Sequence, residues 1–344
     1  MQVFNKNKRQ ENIVILKEIP VSIQYIHNKP TLLWLSNGTK CGSGCINCKN
    51  KKCMYFDKNE IEVESIKNFA FDNNRNVCPV NALQLVEDKL CIDEVKCVKC
   101  GLCSQRCPLG AIYFNGTDFT VNYSNDNIGK IVSSNADLDL HSEQLKKVEN
   151  VRKNGVILIE TDNLLKIIYE KLSRIDSKYH DIMVRNILIG LNCNVSNRRI
   201  GDVYTRMDAI YSYKNILGAI EIEFGKDTLD ASRAILDDIA TLNIRYGISK
   251  DKNCPIVVCL QLPNVRQGYW QVIKDIKNVE NIKIQTVSIG SLLLLLWNNE
   301  NCGFDKTQFY LDYDNMSLRK YLESILCRKI NISNGFLGIL EPVK

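Results

Sequence analysis

The sequence predicts an α+β protein in two parts: a small cysteine-rich domain of short strands, followed by a larger mixed α/β domain. Three observations carry that prediction. Ten of the 15 cysteines fall between residues 41 and 107, and four of them form the run Cys97-Val-Lys-Cys100-Gly-Leu-Cys103-Ser-Gln-Arg-Cys107-Pro108. A Cys-Pro turn followed by two short alternating strands occurs twice, 29 residues apart. Beyond residue 150 the cysteine clusters stop, and segments of helical and strand periodicity alternate.

The chain of 344 residues is long enough for two ordinary domains, and 45% hydrophobic with 24% charged residues describes a packed protein, not a disordered one. Many cysteines behind a start without a signal-length apolar core predict a reducing, cytoplasmic setting. The longest apolar run, Leu292–Trp297, is far too short to span a bilayer, so no membrane partner is expected. A net charge of +6 permits a nucleic-acid partner without demonstrating one. No P-loop, G-x-G-x-x-G or G-x-S-x-G pattern is present, which disfavours a kinase, a nicotinamide enzyme with its own Rossmann site and a serine hydrolase.

Taken in order, residues 1–40 read as short strands at Ile13–Leu16, Val21–Ile26 and Leu32–Leu35. Cys41, Cys45, Cys48 and Cys53 follow the Asn37-Gly38 turn. The first copy of the repeat is Cys78-Pro-Val-Asn-Ala82-Leu-Gln-Leu85 and the second Cys107-Pro-Leu-Gly-Ala111-Ile-Tyr-Phe114, each continuing into a second strand. Such a pair implies two pseudo-symmetric units packed together. The run from Cys97 has the form C-x2-C-x2-C-x3-C-P, which suits cubane iron–sulfur clusters. Three thiolates two residues apart wrap one loop around three irons, and the fourth is carried away to a second cluster. The proline fixes φ after that fourth cysteine. Structural zinc is the competing reading, but zinc sites favour paired C-x2-C knuckles. Cys91, in an apolar strand position, reads as a buried core cysteine.

With these motifs, residues 40–122 resemble the bacterial two-cluster ferredoxins. The resemblance implies that Cys97, Cys100, Cys103 and Cys78 hold one 4Fe–4S cluster, and that Cys107 completes a second with three upstream thiolates. The family's compact first triad is replaced here by the four-cysteine run C-x3-C-x2-C-x4-C, and residues 54–77 separate it from Cys78. Cys45, Cys48 and Cys53 are favoured, with Cys41 the alternative to Cys53 and a separate four-cysteine metal site a third reading. Residues 123–156 read as a connector with a short helix at Ser142–Arg152. The expected domains are therefore 1–150 and 151–344.

In the second part, Leu164–Ser173 and Asp181–Gly190 have helical spacing, Arg206–Tyr213 and Ile216–Phe224 read as a hairpin, and Asp230–Tyr246 as an amphipathic helix. Strand Ile256–Leu262, helix Trp270–Lys277, strand Ile282–Ile289 and a core helix from Leu292 complete the order. If Lys214-Asn215 is a two-residue turn, Asp208 lies opposite Glu221, their Cβ atoms about 5 Å apart. Facing carboxylates repel unless something lies between them, and a divalent cation is the obvious candidate. The plainer reading is a wet strand face on which Arg206 opposes Glu223 as a cross-strand ion pair.

Arg206-Met-Asp208, Gly218-Ala-Ile-Glu221-Ile-Glu223 and the helix after them resemble the PD-(D/E)XK nuclease superfamily over residues 160–297. The fold class this implies is α+β, a ferredoxin-like iron–sulfur domain followed by a mixed α/β restriction-endonuclease-like domain. By the same resemblance Asp208 and Glu221 are metal ligands for Mg²⁺ or Mn²⁺, Glu223 stands where the family has lysine, and Lys226 supplies a cation from a shifted position. Asp202 is an alternative first acid. The implied activity is metal-assisted phosphodiester hydrolysis in DNA or RNA. The alternative is a ferredoxin-type electron-transfer protein with a redox partner and a non-catalytic C-terminal domain that binds a partner or nucleic acid.

Overall fold

The computed structural model describes residues 2–3, 11–15, 33–35, 52–66, 68–86, 89–106, 112–114, 119–121, 132–133, 156–202, 204–225, 228–298, 300 and 302–344. They fall into two compact units. The first takes its residues from Met1–Phe56, Asn76–Leu164 and Trp297–Asn299, the second from Asp57–Arg75, Leu165–Leu296 and Glu300–Lys344.

In the first unit, β1 (Gln2–Val3), β2 (Glu11–Ile15) and β3 (Leu33–Leu35) form an antiparallel sheet. The expected strand at Val21–Ile26 lies outside the described residues. The repeat folds as two hairpins: β4 (Leu83–Val86) pairs with β5 (Lys89–Ile92), and after the short helix α1 (Leu102–Arg106), β6 (Ile112–Phe114) pairs with β7 (Phe119–Val121). β5 lies against β7, so the two copies pack together as their sequence similarity implies. β8 (Val132–Ser133) adds to β2. The helix expected at Ser142–Arg152 falls outside the described residues.

The second unit is a mixed α/β structure. After α2 (Val156–Leu172) and α3 (His180–Gly190) come β9 (Asn194–Asn197), β10 (Ala209–Tyr213), β11 (Ile216–Glu223), α4 (Leu229–Tyr246), β12 (Ile256–Cys259), α5 (Tyr269–Glu280), β13 (Gln285–Ser288), α6 (Ile289–Asn298) and α7 (Arg319–Leu326). The division between units falls within α2 and within the last turn of α6. The five strands lie in sequence order, β9–β10–β11 antiparallel and β11–β12–β13 parallel. β9 carries two asparagines and a serine, so its sequence shows no apolar alternation, and it was not expected from pattern.

Every residue of β12 and β13 is buried, as expected of parallel strands covered on both faces. α4 packs on β11 and β12 through Ala231, Ile235, Ile239 and Leu242. It ends where Gly247 turns left-handed at φ +69°, closing the last carbonyls. Leu292–Trp297 are all fully buried, so α6 is apolar all round and sits in the core.

Residues 57–75, within the segment between Cys53 and Cys78, fold with the second unit. Asp72 N–H donates to Asn197 C=O (2.9 Å), Arg199 N–H to Ala70 C=O (3.0 Å) and Val63 N–H to Ser196 Oγ (2.9 Å), while Ser196 Oγ donates to Ile61 C=O (3.1 Å). These contacts cover β9, which is at the sheet edge. Among the described residues no helix is long and apolar enough to cross a membrane.

Candidate functional site

Two clusters of chemistry-bearing side chains follow from this fold. The first is the cysteine loop. Asp93 starts it: its Oδ1 accepts from Val95 and Lys96 N–H, and its carbonyl accepts from Cys97 N–H at 2.8 Å. Lys96 pairs with Asp93 at 2.9 Å. The chain then turns left-handed at Lys99 (φ +61°) and Gly101 (φ +78°), which curls the loop before α1 begins. In this curl Lys99 N–H points at Cys97 Sγ (3.4 Å). Cys78 is reached from the other repeat: Asn81 is left-handed at φ +53°, and Ala82 N–H donates to Cys78 Sγ at 3.0 Å.

Cys100 is buried, while Cys78, Cys97 and Cys103 are half-buried. Burial drives the Cys100 thiol far above its ordinary range, and the neighbouring sulfurs of Cys78 and then Cys97 push it further. Cys78 therefore lies close enough to the run to feel its charge, across more than 20 residues of chain. Crowded sulfurs with amide N–H groups aimed at them repel one another as bare thiolates and are relieved by cations among them, so the donor set fits an iron–sulfur cluster. Among the described residues no group of three or more His, Cys, Asp or Glu is placed to hold a single metal ion. A cube, ligated at its corners, needs its sulfurs spread more widely than a single ion does.

Cys53 is buried, and Lys52 C=O accepts from Arg106 Nε at 3.0 Å while the Arg106 guanidinium stacks 4.4 Å over Phe56. Cys41, Cys45, Cys48, Cys107 and Lys226 lie outside the described residues. Cys91, expected in the core, is half-buried on β5 opposite Gln84 because a two-stranded hairpin covers only one of its faces.

The second cluster is on the β10–β11 hairpin. Lys214 takes φ +53° in a two-residue turn, and Ala209 pairs with Ile220, Ile210 with Ala219 and Tyr213 with Ile216. Carried one step further, this register sets Asp208 opposite Glu221, and Asp208 Oδ2 accepts from Ile222 N–H at 3.0 Å. Burial, then the charge of Asp181, pushes Asp208 up to about 6. Burial, then Asp208 and Asp238, pushes Glu221 up to about 9. Asp238 on α4 is pushed up to about 7, first by burial and then by Asp208, and its Oδ2 is buried with no hydrogen-bond partner. Asp181 on α3 is also raised by burial, with Arg198 opposing. Arg198 Nη2 stands 3.6 Å from Asp208 Oδ1.

Glu223 is turned back to accept from Gly225 N–H. The cross-strand pair of Arg206 with Glu223 does not form: Arg206 reaches across to Asp237 on α4 at 2.9 Å instead. Asp202 caps its own loop, accepting from Tyr204 N–H (2.8 Å) and Thr205 N–H (3.2 Å). Asp181 and Asp238 had no local signal. Asp181 is the one acid of α3 and Asp238 one of three on α4, and only helix packing brings them to Asp208.

Comparison with known proteins bears on the first cluster. Residues 90–113 match the 4Fe-4S binding domain family. An uncharacterized ferredoxin of Methanocaldococcus jannaschii is 32% identical over 80 residues, 22% of this chain and 50% of that protein. Formate hydrogenlyase subunit 2 of Escherichia coli K12 is 49% identical over 41 residues, 12% of this chain and 20% of that subunit. The chain thus spans half or less of the length of these relatives. No solved structure matches it. The chain carries a ferredoxin-type 4Fe–4S binding domain at residues 90–113.

Proposed function

We propose that this protein is a ferredoxin-type electron carrier with two 4Fe–4S clusters that serves a protein redox partner, its second unit contributing recognition. The observation that carries the reading is that Cys78 and Cys97 both lie near enough to Cys100 to act on its charge, with backbone N–H groups aimed at the Cys78 and Cys97 sulfurs. Cys78, Cys97, Cys100 and Cys103 would hold one cluster, and Cys107 with Cys45, Cys48 and Cys53 the other. The Arg106–Lys52 hydrogen bond ties the residue before Cys107 to the residue before Cys53, which supports Cys53 over Cys41. Each cluster, when bound, would accept and donate single electrons. The chain's part is to supply thiolates, stabilise them with amide dipoles and bury the Cys100 side from water. Similarity to a formate hydrogenlyase subunit supports a redox partner.

Anaerobically purified protein should contain about eight irons and eight sulfides per chain, four per cube. Cys78→Ser should lower that content and alter one of two reduced-state EPR signals. About four irons in the wild type would remove the second cluster, and none would end the reading.

A second reading rests on the carboxyl group cluster. Asp208 and Glu221 face each other in register, and both are raised by burial, Asp208 further by the charge of Asp181 and Glu221 further by that of Asp208. Two carboxylates fit Mg²⁺ or Mn²⁺, which keep several waters of their own. The bound metal would neutralise phosphate charge and acidify a water. Glu223 would take that water's proton and Lys226 would face the phosphate, giving hydrolysis of a phosphodiester in DNA or RNA by a restriction-endonuclease-like domain. Plasmid and single-stranded substrates incubated with Mg²⁺ or Mn²⁺ test it. Cutting abolished by both Asp208→Ala and Glu221→Ala supports it, while cutting that survives both removes these residues. Binding without cutting points to a non-catalytic nucleic-acid role.

A further inference from the structure

Trp297 is fully buried, and its indole N–H donates to the carbonyl of Cys100 at 2.8 Å, across 197 residues of sequence. Both residues belong to the first unit. A buried tryptophan needs one acceptor for its N–H. Here the acceptor is the peptide in the middle of the cysteine loop. That peptide joins Cys100 to Gly101, and glycine populates positive and negative φ about equally, so nothing local prevents the plane from turning over. The observed φ of +78° at Gly101 is one of two accessible states. A trans peptide points its N–H opposite to its C=O. Holding the carbonyl of Cys100 therefore also fixes the Gly101 amide and the entry to α1, where the Leu102 amide favours the Cys100 thiolate.

We propose that Trp297 is a positioning residue for the cluster held by Cys97, Cys100, Cys103 and Cys78: its indole locks the Cys100–Gly101 peptide, keeping amide dipoles on the ligand sulfurs and water off that side. The inference rests on the cluster reading above. Amide dipoles at sulfur favour the more negative, reduced cluster, so they raise its potential. Losing the lock should lower it.

The test is Trp297→Phe in the full chain, which keeps an apolar ring and removes the donor. Trp270→Phe is the control, since Trp270 is equally buried but donates to Pro263 and Asn264 carbonyls in the second unit. W297F should keep the iron content of the wild type, shift one reduction wave to lower potential, change the EPR g-values of that cluster and bleach severalfold faster in air. W270F should change none of these. Iron-replete W297F with wild-type potentials, EPR and bleaching overturns the inference while leaving the cluster reading intact. If W297F loses its iron, W297H, which keeps a ring N–H, decides: restored iron supports positioning and equal loss overturns it. Wild-type protein without iron overturns both.

Discussion

At the residue scale, the carboxyls around Asp208 make folding pH-dependent. Glu221 is raised to about 9, Asp238 to about 7 and Asp208 to about 6, each first by burial, whereas the unfolded chain would titrate them near 4.5, 3.8 and 3.8. Between those limits the folded protein binds more protons than the unfolded one, so stability is present at low pH and lost as pH rises through the folded values. In chelator-containing buffer, thermal unfolding of the second unit should have a higher midpoint at pH 5 than at pH 8.5. Glu221→Gln removes the cost of keeping this carboxyl protonated at a pH where the unfolded chain would ionise it. It should flatten most of that slope and stabilise the unit at pH 8.5 by about 2 kcal/mol. A wild-type midpoint independent of pH would contradict the burial of these groups. The facing of Asp208 and Glu221 was legible in the sequence because a two-residue turn sets register by counting. Asp238 and Asp181 were not, because a helix places its acids only when it docks.

At the element scale, the hairpin and its neighbours leave no room at Gly218. A Cβ there would meet the Cys254 carbonyl and the Tyr211 ring, while Tyr211 Oη donates to that same carbonyl at 2.7 Å. Backbone cannot yield as a side-chain tip can, so Gly218→Ala should destabilise the second unit by about 1–3 kcal/mol in denaturant titration. A cost near zero would mean that β11 and β12 can separate freely. The strap formed by residues 57–75 is similarly specific. Ser196 Oγ both accepts from Val63 N–H and donates to Ile61 C=O inside the fold. Ser196→Ala leaves both buried groups unpaired and should cost about 1–3 kcal/mol. Hydrogen exchange should then quicken at residues 61–72 before it does in β12; uniform protection would refute the strap.

At the scale of the whole molecule, the two units are interleaved in sequence. Residues 57–75 leave the cysteine-rich part to complete the second unit, and Trp297–Asn299 return to the first. A fragment of residues 151–344 would lack the strap that buries Ile61, Val63 and Phe69, and would expose β9 at a sheet edge. It should aggregate or bind a hydrophobic dye more than the intact chain does. A fragment that melts with the same midpoint as the second unit of the full protein would show that the strap is dispensable.

By itself the sequence determined what is local: the cysteine spacing that suits a cubane, the doubled Cys-Pro hairpin, the order of helices and strands from α3 to α6 apart from β9, and the β10–β11 register. Each follows from counting along a few residues, through loop reach, helical period or strand alternation. Only the tertiary structure decided where the insertion at 57–75 belongs, that Arg206 pairs with Asp237, that Asp181 and Asp238 gather at Asp208, and that Trp297 holds the Cys100 carbonyl. These depend on which buried surfaces pack together across many tens of residues. The strength of that packing resides in shape and burial, which no short stretch of sequence displays.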